Sequence, residues 1–286
     1  MTAIGALGAP LIAIDNNFPA APSTPAEEAK FFASIRLSNG TFKTTADNRM
    51  DDLNAFVAAQ WRTMNAAPTD ILDVGASSGI STMEWFETLT RDGFKVRMTA
   101  TDLTLWAEIV PLLPGFEVLI EESRQHVLRH VVLGLSLRPW SRRLDRLTGY
   151  VVLTRLANLI ARHRLRLAPR RRERVILVSQ RALRCSGIAW AQDDLLAPNP
   201  EQFLRRFDAI RAANVLNRDY FGADDLRRAV GNLKARLSGP KACLIVNRTW
   251  KDGSNHATLF KLHDDDRFRI EARLGQGSEI EDIVLS

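Results

Sequence analysis

The chain has 286 residues, of which 45% are hydrophobic and 25% charged, a balance that is ordinary for a globular protein with a sizeable core. Its two cysteines, Cys185 and Cys243, lie far apart and outside any paired motif, which argues against a disulfide scaffold and against a cysteine metal site. A reducing, cytoplasmic setting is therefore expected.

The net charge of +6 is unevenly distributed along the chain. Residues 123–184 hold sixteen arginines, no lysine and two acids, so this segment carries +14 and the rest of the chain carries −8. Such a segment predicts an acidic partner, such as an anionic membrane surface, an acidic protein or nucleic acid. Nucleic acid is the least favoured of these, because Trp140 and Tyr150 are the segment's only aromatic residues and base stacking needs more.

The N-terminal region lacks the charged start of a signal peptide, since Met1–Ile14 is apolar but contains no lysine or arginine. We expect residues 1–26 to form a flexible leader and residues 27–286 a single domain. Pro25–Ala33 has helix-forming composition, and Thr45–Met64 has an apolar stripe with helical spacing. These two segments predict an N-terminal helical cap.

A glycine-rich turn follows the first clear strand, in the stretch Asp73-Val74-Gly75-Ala76-Ser77-Ser78-Gly79. Glycine permits a left-handed backbone and close approach of a ligand, and the free N–H groups of the next helix face the same place. The second strand, Lys95–Thr101, ends at Asp102, which follows Gly79 by 23 residues. Because an acid at about this spacing binds a ribose diol, the pattern predicts a nucleotide-type cofactor site.

Regular alternation stops after Asp102 for some seventy residues. Val127–Leu137 and Gly149–Ile160 are apolar stretches among arginines, and neither is long enough to cross a bilayer. We interpret residues 105–185, approximately, as a basic insertion of two or three amphipathic helices that lie on a membrane or cover the site; a solvated basic face is the alternative. His126 and His130 lie four residues apart in this segment without a third ligand, so no metal is expected.

Strands return at Ile188–Ala191, Ala209–Ala213 and Ala242–Asn247, with an amphipathic helix at Leu226–Leu237. Two final alternating runs, at Ala257–Leu262 and Phe268–Leu274, are joined by five residues that begin with His263-Asp264-Asp265-Asp266. That link is too short for a crossover helix, so the two runs must pair antiparallel. A dinucleotide dehydrogenase would instead continue with a helix and a parallel strand.

This order of elements resembles the class I S-adenosylmethionine-dependent methyltransferases, whose sheet has five parallel strands and a final antiparallel hairpin. The resemblance implies an α/β fold with a Rossmann-like, doubly wound sheet of seven strands, and S-adenosyl-L-methionine as the cofactor. The residues that it implies for cofactor binding are the first-motif residues Asp73, Gly75, Ser77 and Gly79, the ribose acid Asp102, and the pair Asp193 and Asp194, one of which contacts adenine.

The fourth-strand motif, Phe207–Leu216, is also similar to that of the chemotaxis-receptor glutamate methyltransferases. It implies a positioning role for Asn214 near the transferred methyl group. The alternative is that Asn214 has only a structural role in the turn.

Two departures from the family pattern stand out. Ser77 replaces the middle glycine of the first motif, and Asn214 is followed by Val-Leu where enzymes that methylate nucleic-acid amino groups have Pro-Pro-Tyr.

The resemblance and the composition of the insertion together predict O-methylation of a carboxylate or hydroxyl on a small or lipid-like acceptor. The arginine-rich segment 123–184, which the resemblance does not cover, predicts peripheral association with an anionic membrane. Two alternatives remain. An inactive methyltransferase fold would bind a membrane or a partner through the arginine-rich segment. An α/β-hydrolase would use Ser77, within Gly-x-Ser-x-Gly, as the nucleophile, with His256 or His263 as the base.

Overall fold

A computed structural model of the chain describes residues 24–43, 46–122, 124–133, 135–141, 149–166 and 173–286. These residues fall into two compact units. The smaller combines the chain up to Asp47 with Thr104–Arg184, and the larger combines Asn48–Leu103 with Cys185–Ser286. Nearly all of the predicted leader, residues 1–23, lies outside the described residues.

The described elements follow one another from Pro25 to Val284. In chain order they are α1 (Pro25–Ser34), α2 (Asp51–Thr63), β1 (Asp70–Val74), α3 (Ile80–Arg91), β2 (Arg97–Asp102), β3 (Trp106–Leu113), β4 (Phe116–Glu121), β5 (Val127–Val132), β6 (Leu135–Leu137), α4 (Tyr150–Leu165), β7 (Glu173–Ile176), α5 (Gln180–Leu183), β8 (Ile188–Gln192), β9 (Ala209–Ala213), α6 (Ala223–Arg236), β10 (Cys243–Thr249), β11 (Asn255–Leu262), β12 (Phe268–Leu274) and α7 (Glu281–Val284).

The larger unit is built on a seven-stranded sheet in the order β12-β11-β10-β9-β1-β2-β8. The five strands from β10 to β8 pair in parallel, while β11 is antiparallel to both of its neighbours. The chain moves outward from β1 through β2 to β8 and then returns to place β9 on the other side of β1. The predicted sheet and its terminal antiparallel hairpin are confirmed.

Helices cover both faces of this sheet, as a doubly wound fold requires. On one face, α6 buries Leu226, Val230 and Leu233 against Leu72, Ile210 and Leu244 of the strands. On the other face α2 and α3 pack together through Trp61 and Trp85, whose ring centroids lie 6.1 Å apart. The apolar stripe predicted within Thr45–Met64 is thus core-facing, with Leu53, Val57, Ala58 and Trp61 all buried.

The prediction of a helical insertion is wrong. The smaller unit is built on a five-stranded antiparallel sheet in the order β6-β5-β4-β3-β7, and α4 is its one long helix within residues 104–184 as described. The predicted helical stretch Val127–Leu137 forms β5 and β6, whereas Gly149–Ile160 does form a helix. The apolar run Val175–Val178, near the end of this segment, overlaps β7.

Burial on both faces explains why these strands lacked a clear alternation. One face packs on α1 through Phe31, Phe32 and Ile35, so α1 belongs to this unit rather than to a cap on the larger sheet. The other face packs on Ala157 and Ala161 of α4. Strands that are covered on both faces read as continuous apolar runs, which the sequence pattern cannot distinguish from helix.

His130, which shares a four-residue spacing with His126, lies on β5 and not on a helix. Its Nε2 atom lies 2.9 Å from Asn158 Oδ1, and burial lowers the pKa of its imidazole. Within the part of the chain that the structure describes, no group of three or more His, Cys, Asp or Glu residues is arranged to hold a metal ion. None of the described helices is both long and apolar enough to span a bilayer.

Candidate cofactor and acceptor site

The glycine-rich turn after β1 has an alternating left-handed backbone. Gly75, Ser77 and Gly79 have φ angles of 74°, 56° and 85°. The N–H groups of Gly75 and Ala76 both donate to the Thr101 carbonyl, at 2.8 and 2.9 Å, which binds the turn to the end of β2. Ser77 therefore occupies a conformation that glycine adopts at lower cost, at the position where the family has glycine.

Asp102, the predicted ribose acid, lies directly beside this turn. Its Oδ2 atom accepts a hydrogen bond of 2.8 Å from the Ser77 N–H group. An ionised carboxylate offers about four acceptor positions, so a single bond from the turn does not by itself saturate it. The hydroxyls of Ser78 and Thr101 are buried next to the turn and have no hydrogen-bond partner among the described residues.

The turn also lies at the topological switch point of the sheet, between β1 and β9. In open α/β sheets, ligands bind in the crevice that forms at this point. The loop after β9 closes over the turn here, because a Cβ atom built on Gly75 would lie 2.1 Å from Cγ2 of Val215. Two features therefore require glycine at position 75: its positive φ angle and the close approach of the Val215 side chain.

Asp73 does not lie in the turn region itself but in a buried ion pair beneath it. The side chains of Asp73 and Arg211 are 3% and 1% exposed, and Arg211 donates to both carboxylate oxygens at 2.8 and 2.7 Å. Thr82 Oγ1 donates a further bond of 2.6 Å. Both oxygens are thus occupied by α3 and β9, which gives Asp73 the role of holding the turn; its contact with the cofactor stays a prediction.

The guanidinium of Arg211 has three further partners besides Asp73. It also donates to Asn54 Oδ1 at 2.9 Å and to the Ser81 carbonyl at 3.1 Å, and its guanidinium carbon lies 4.1 Å from the centre of the Trp85 ring. The network joins β1, β9, α2 and the first turn of α3. It supports the start of α3, where backbone N–H groups face a ligand.

Asp193 and Asp194, the candidate adenine contacts, have different surroundings. Asp193 is 4% exposed at its side chain and binds the fully buried Arg236 through bonds of 2.6 and 3.1 Å. Asp194 is exposed and accepts a bond from Leu196 N–H at 2.9 Å. Asp193 is therefore held in an ion pair, and Asp194 is the accessible member of the pair for a ligand.

Asn214 lies at the carboxyl end of β9 with a φ angle of 60°. Its side-chain oxygen accepts from Thr249 N–H at 2.7 Å, and its Nδ2 atom lies 3.1 Å from Thr249 Oγ1, so it joins the ends of β9 and β10. It also lines a polar cavity of about 220 Å³. The other lining residues are Arg49, Asn217, Asp219, Tyr220, Arg248 and Thr249.

Comparisons with known proteins give structural likenesses alone. Neither a protein-family model nor a curated protein matches the sequence. The DszA carbon methyltransferase has a TM-score of 0.37 at 15% identity, covering 85% of this chain and 43% of that one. The N-methyltransferase NodS from Bradyrhizobium japonicum WM9, in complex with S-adenosyl-L-homocysteine, has a TM-score of 0.35 at 15% identity, covering 79% and 73%.

The amino pentose methyltransferase CalS10 from Micromonospora echinaspora, bound to S-adenosylmethionine, has a TM-score of 0.33 at 16% identity, covering 77% of this chain and 66% of that one. For the methyltransferase domain of the citrinin polyketide synthase, the match takes in only 28% of that chain. At such TM-scores these likenesses do not define a family, and the fold follows from the order and direction of the strands. The larger unit has the class I methyltransferase fold.

Within this methyltransferase fold, the structure brings together Gly75, Ser77, Gly79 and Asp102 in one turn. Asn214 lies on the other side of the switch point, next to Val215, which contacts Gly75. The turn region and the cavity at Asn214 therefore lie on the two sides of the switch point. Asp73 and Asp193 belong to the ion pairs that hold the two sides in place.

Three arginines of this methyltransferase fold were not predicted from the sequence: two form buried ion pairs, and the third lines the cavity. Arg211 and Arg236 are almost fully buried and pair with Asp73 and Asp193. The sequence did contain a signal for the pairing of Arg211, since a charged residue in the centre of an apolar strand requires a buried counter-charge. Arg49, which lines the cavity, precedes a helix in an unremarkable sequence context, and no pattern would have identified it.

The hydrolase alternative requires a base for Ser77. His256 bonds to Ser254 Oγ at 3.1 Å and accepts from Gln276 N–H at 2.8 Å, while His263 lies 3.7 Å from Glu271. Neither histidine is bonded to Ser77 in the structure. A Ser–His pair of the kind that activates a serine nucleophile is therefore not formed by these residues.

Proposed function

We propose that the chain is a methyltransferase that uses S-adenosyl-L-methionine. The observation that supports this most directly is the hydrogen bond between Asp102 and the glycine-rich turn at the switch point of the sheet. It brings together a carboxylate able to accept from a ribose diol and a turn whose backbone permits close approach of the cofactor.

In this proposal, Asp102 would bind the ribose hydroxyls, Asp194 the adenine amino group, and the turn Gly75–Gly79 the rest of the cofactor. The cofactor would supply a methyl group already activated by the positive sulfur. The protein's own contribution is alignment of the two reactants and exclusion of water, for which no catalytic triad or metal is needed.

For the acceptor, we propose an oxygen atom of a carboxylate or hydroxyl on a small or lipid-like molecule. The cavity next to Asn214 supports a polar acceptor group, since all seven of its lining residues have polar or charged side chains. Methylation of a nucleic-acid amino group is disfavoured because Asn214 precedes Val215 and Leu216 rather than the motif typical of those enzymes.

Calorimetry with S-adenosyl-L-homocysteine tests the cofactor site. We expect saturable binding by the wild type and a loss of about tenfold to a hundredfold in affinity for Asp102→Asn, because a hydrogen bond to a charged group contributes about 1.5–3 kcal/mol. Asp225→Asn, at an exposed acid paired with Arg228 on α6, is the matched control and should bind as the wild type does. Absence of heat from the wild type at millimolar ligand would contradict the proposal.

Labelling of Ser77 by a fluorophosphonate would instead favour a hydrolase.

A second function, peripheral binding to an anionic membrane, is favoured by α4. The fully buried residues of this helix are small, namely Thr154, Ala157 and Ala161, and Ile160 and Leu165 are partly buried beside them, while several other large aliphatic residues face solvent. Val152, Leu153, Leu156 and Leu159 are 70%, 45%, 54% and 69% exposed. Exposed arginines accompany them at 155, 162, 164 and 166.

An exposed aliphatic face flanked by arginines suits insertion at the boundary between lipid headgroups and acyl chains. We expect the protein to sediment with vesicles that contain phosphatidylserine, and Leu156→Glu/Leu159→Glu to bind at least about tenfold more weakly, since two aliphatic contacts become charged. Leu204→Glu, at another exposed leucine, is the control and should bind as the wild type does. Equal sedimentation of the wild type and the α4 variant would count against the membrane function.

A further inference from the structure

Arg49 is the residue of the cavity whose charge is not neutralised. Its guanidinium lines the cavity next to Tyr220, and burial lowers the pKa of the Arg49 side chain. Its Nε atom is buried and has no hydrogen-bond partner, and no carboxylate among the described residues forms an ion pair with it. The side chain as a whole is half-buried, and a partly desolvated cation without an ion pair is suited to bind an anion from outside the chain.

The position of Arg49 in the chain makes this charge more costly. It precedes Met50, the N-cap residue of α2, and therefore lies at the positive end of the helix dipole. The first turn of α2 also carries Asp51 and Asp52, but no ion pair joins either of them to Arg49 in the described structure, and Asp52 Oδ1 accepts instead from Leu53 N–H and Asn255 Nδ2, at 2.8 and 2.6 Å. A ligand carboxylate at Arg49 would relieve both the desolvation and the unfavourable dipole.

The other cation of the cavity is already neutralised. Arg248 donates to both oxygens of Glu279, at 2.6 and 2.7 Å, and also forms an ion pair with Asp219. This network fixes the cavity wall. It also leaves Asp219 poorly suited to act as a base, since its carboxylate is already held by a guanidinium.

The amides of the wall are likewise engaged within the protein. Asn217 accepts from the N–H groups of Asp219 and Tyr220, each at 3.1 Å, and Asn214 is bonded to Thr249. The wall is therefore preorganised, with the Arg49 guanidinium as the lining cation that remains for a ligand.

The chemistry of an acceptor constrains which ligand suits this cavity. A hydroxyl acceptor must lose a proton to a base, but the cavity lining contains no histidine and its one acid is ion-paired. A carboxylate has no proton to lose. One of its oxygens bonds to the methyl carbon as that carbon separates from sulfur, the bonding pair stays on sulfur, and no base is needed.

We infer that this cavity binds the carboxylate of an anionic methyl acceptor, with Arg49 as the residue that holds it. The inference rests on the proposed methyltransferase function and narrows its acceptor to carboxylic acids. An Arg–carboxylate contact would be a charge-assisted, two-bond interaction that selects a planar anion over neutral groups of the same size.

The test uses the full chain and acetate as a probe small enough for the cavity, with acetamide as its neutral isostere. Nuclear magnetic resonance follows the Nε–H signal of Arg49 and the side-chain amide of Asn217. Acetate should shift both signals saturably, and acetamide should not. Arg49→Gln should weaken acetate binding at least about tenfold, read from Asn217, while Arg49→Lys should retain part of it. Arg228→Gln, at an exposed arginine of α6, should bind as the wild type does.

Thermal unfolding separates this role from a structural one. Because Arg49 is unpaired, Arg49→Gln should unfold at the same temperature as the wild type or higher. Acetate binding that is absent from the wild type, or unchanged in Arg49→Gln, would overturn the inference. If S-adenosyl-L-homocysteine binds in the same sample while acetate does not, the inference is wrong and the proposed function stands. If acetate binds and S-adenosyl-L-homocysteine does not, the proposed function fails, and with it the assignment of the anion as a methyl acceptor.

Discussion

Gly75→Ala is expected to lower the affinity for S-adenosyl-L-homocysteine at least about tenfold and the free energy of unfolding by about 1–3 kcal/mol. The new Cβ atom would lie 2.1 Å from Cγ2 of Val215, and the residue would keep a φ angle of 74° that alanine adopts only with strain. Valine is stiff about χ1, so the clash must be relieved by movement of the turn or of the loop after β9. Calorimetry and denaturant unfolding measure the two effects.

A double variant separates the clash from the backbone strain. Gly75→Ala/Val215→Ala removes the methyl group that clashes and should recover most of the stability lost to it, leaving a deficit of about 1 kcal/mol from the left-handed backbone. Val215→Ala alone is the control for the lost side chain. Wild-type stability and affinity in Gly75→Ala would show that the turn and the loop do not approach each other as the structure places them.

Arg211→Met is expected to lower the free energy of unfolding by about 3–5 kcal/mol, since it leaves the Asp73 carboxylate buried without its counter-charge. The pair is almost fully buried, and Arg211 also bonds to Asn54 and the Ser81 carbonyl. Urea unfolding measures the loss. Arg97→Met, at an exposed arginine paired with Asp70, is the matched control and should leave the free energy of unfolding almost unchanged.

Asp73→Leu/Arg211→Met provides the complementary result, because an apolar pair in place of a buried ion pair removes both charges at once. The double variant should be more stable than Arg211→Met. If Arg211→Met and Arg97→Met cost the same, the buried pair does not hold the sheet and the turn together. The affinity of folded Asp73→Asn for S-adenosyl-L-homocysteine shows whether Asp73 also contacts the cofactor, which its position beneath the turn does not require.

Much of the larger unit could be predicted from the sequence because its local patterns agree with its tertiary environment. Ala209–Ala213 was predicted with the bounds that the structure has, and the hairpin of β11 and β12 follows from a five-residue link that is too short for a crossover helix. The strand order was not worked out from the pattern alone. It was implied by the family that the order of elements resembles.

The insertion was predicted wrongly for a physical reason. Its strands are covered on one face by α1 and on the other by α4, so apolar residues occur at successive positions and the period of two is lost. Alpha-helical and doubly covered β-segments then look alike in sequence. The pairing partner of each strand, which distinguishes them, lies elsewhere in the chain.

The residues of the candidate site also fall into those that the sequence predicts and those that only the tertiary structure identifies. The sequence by itself determined the turn Gly75–Gly79 and the acid Asp102, because a glycine pattern and a spacing are local properties of the chain. Only the tertiary structure decided that Asp73 and Asp193 are occupied by buried arginines and that Arg49 lines a cavity without a counter-charge. Burial and pairing depend on which distant residues come together, and a linear pattern contains no record of that.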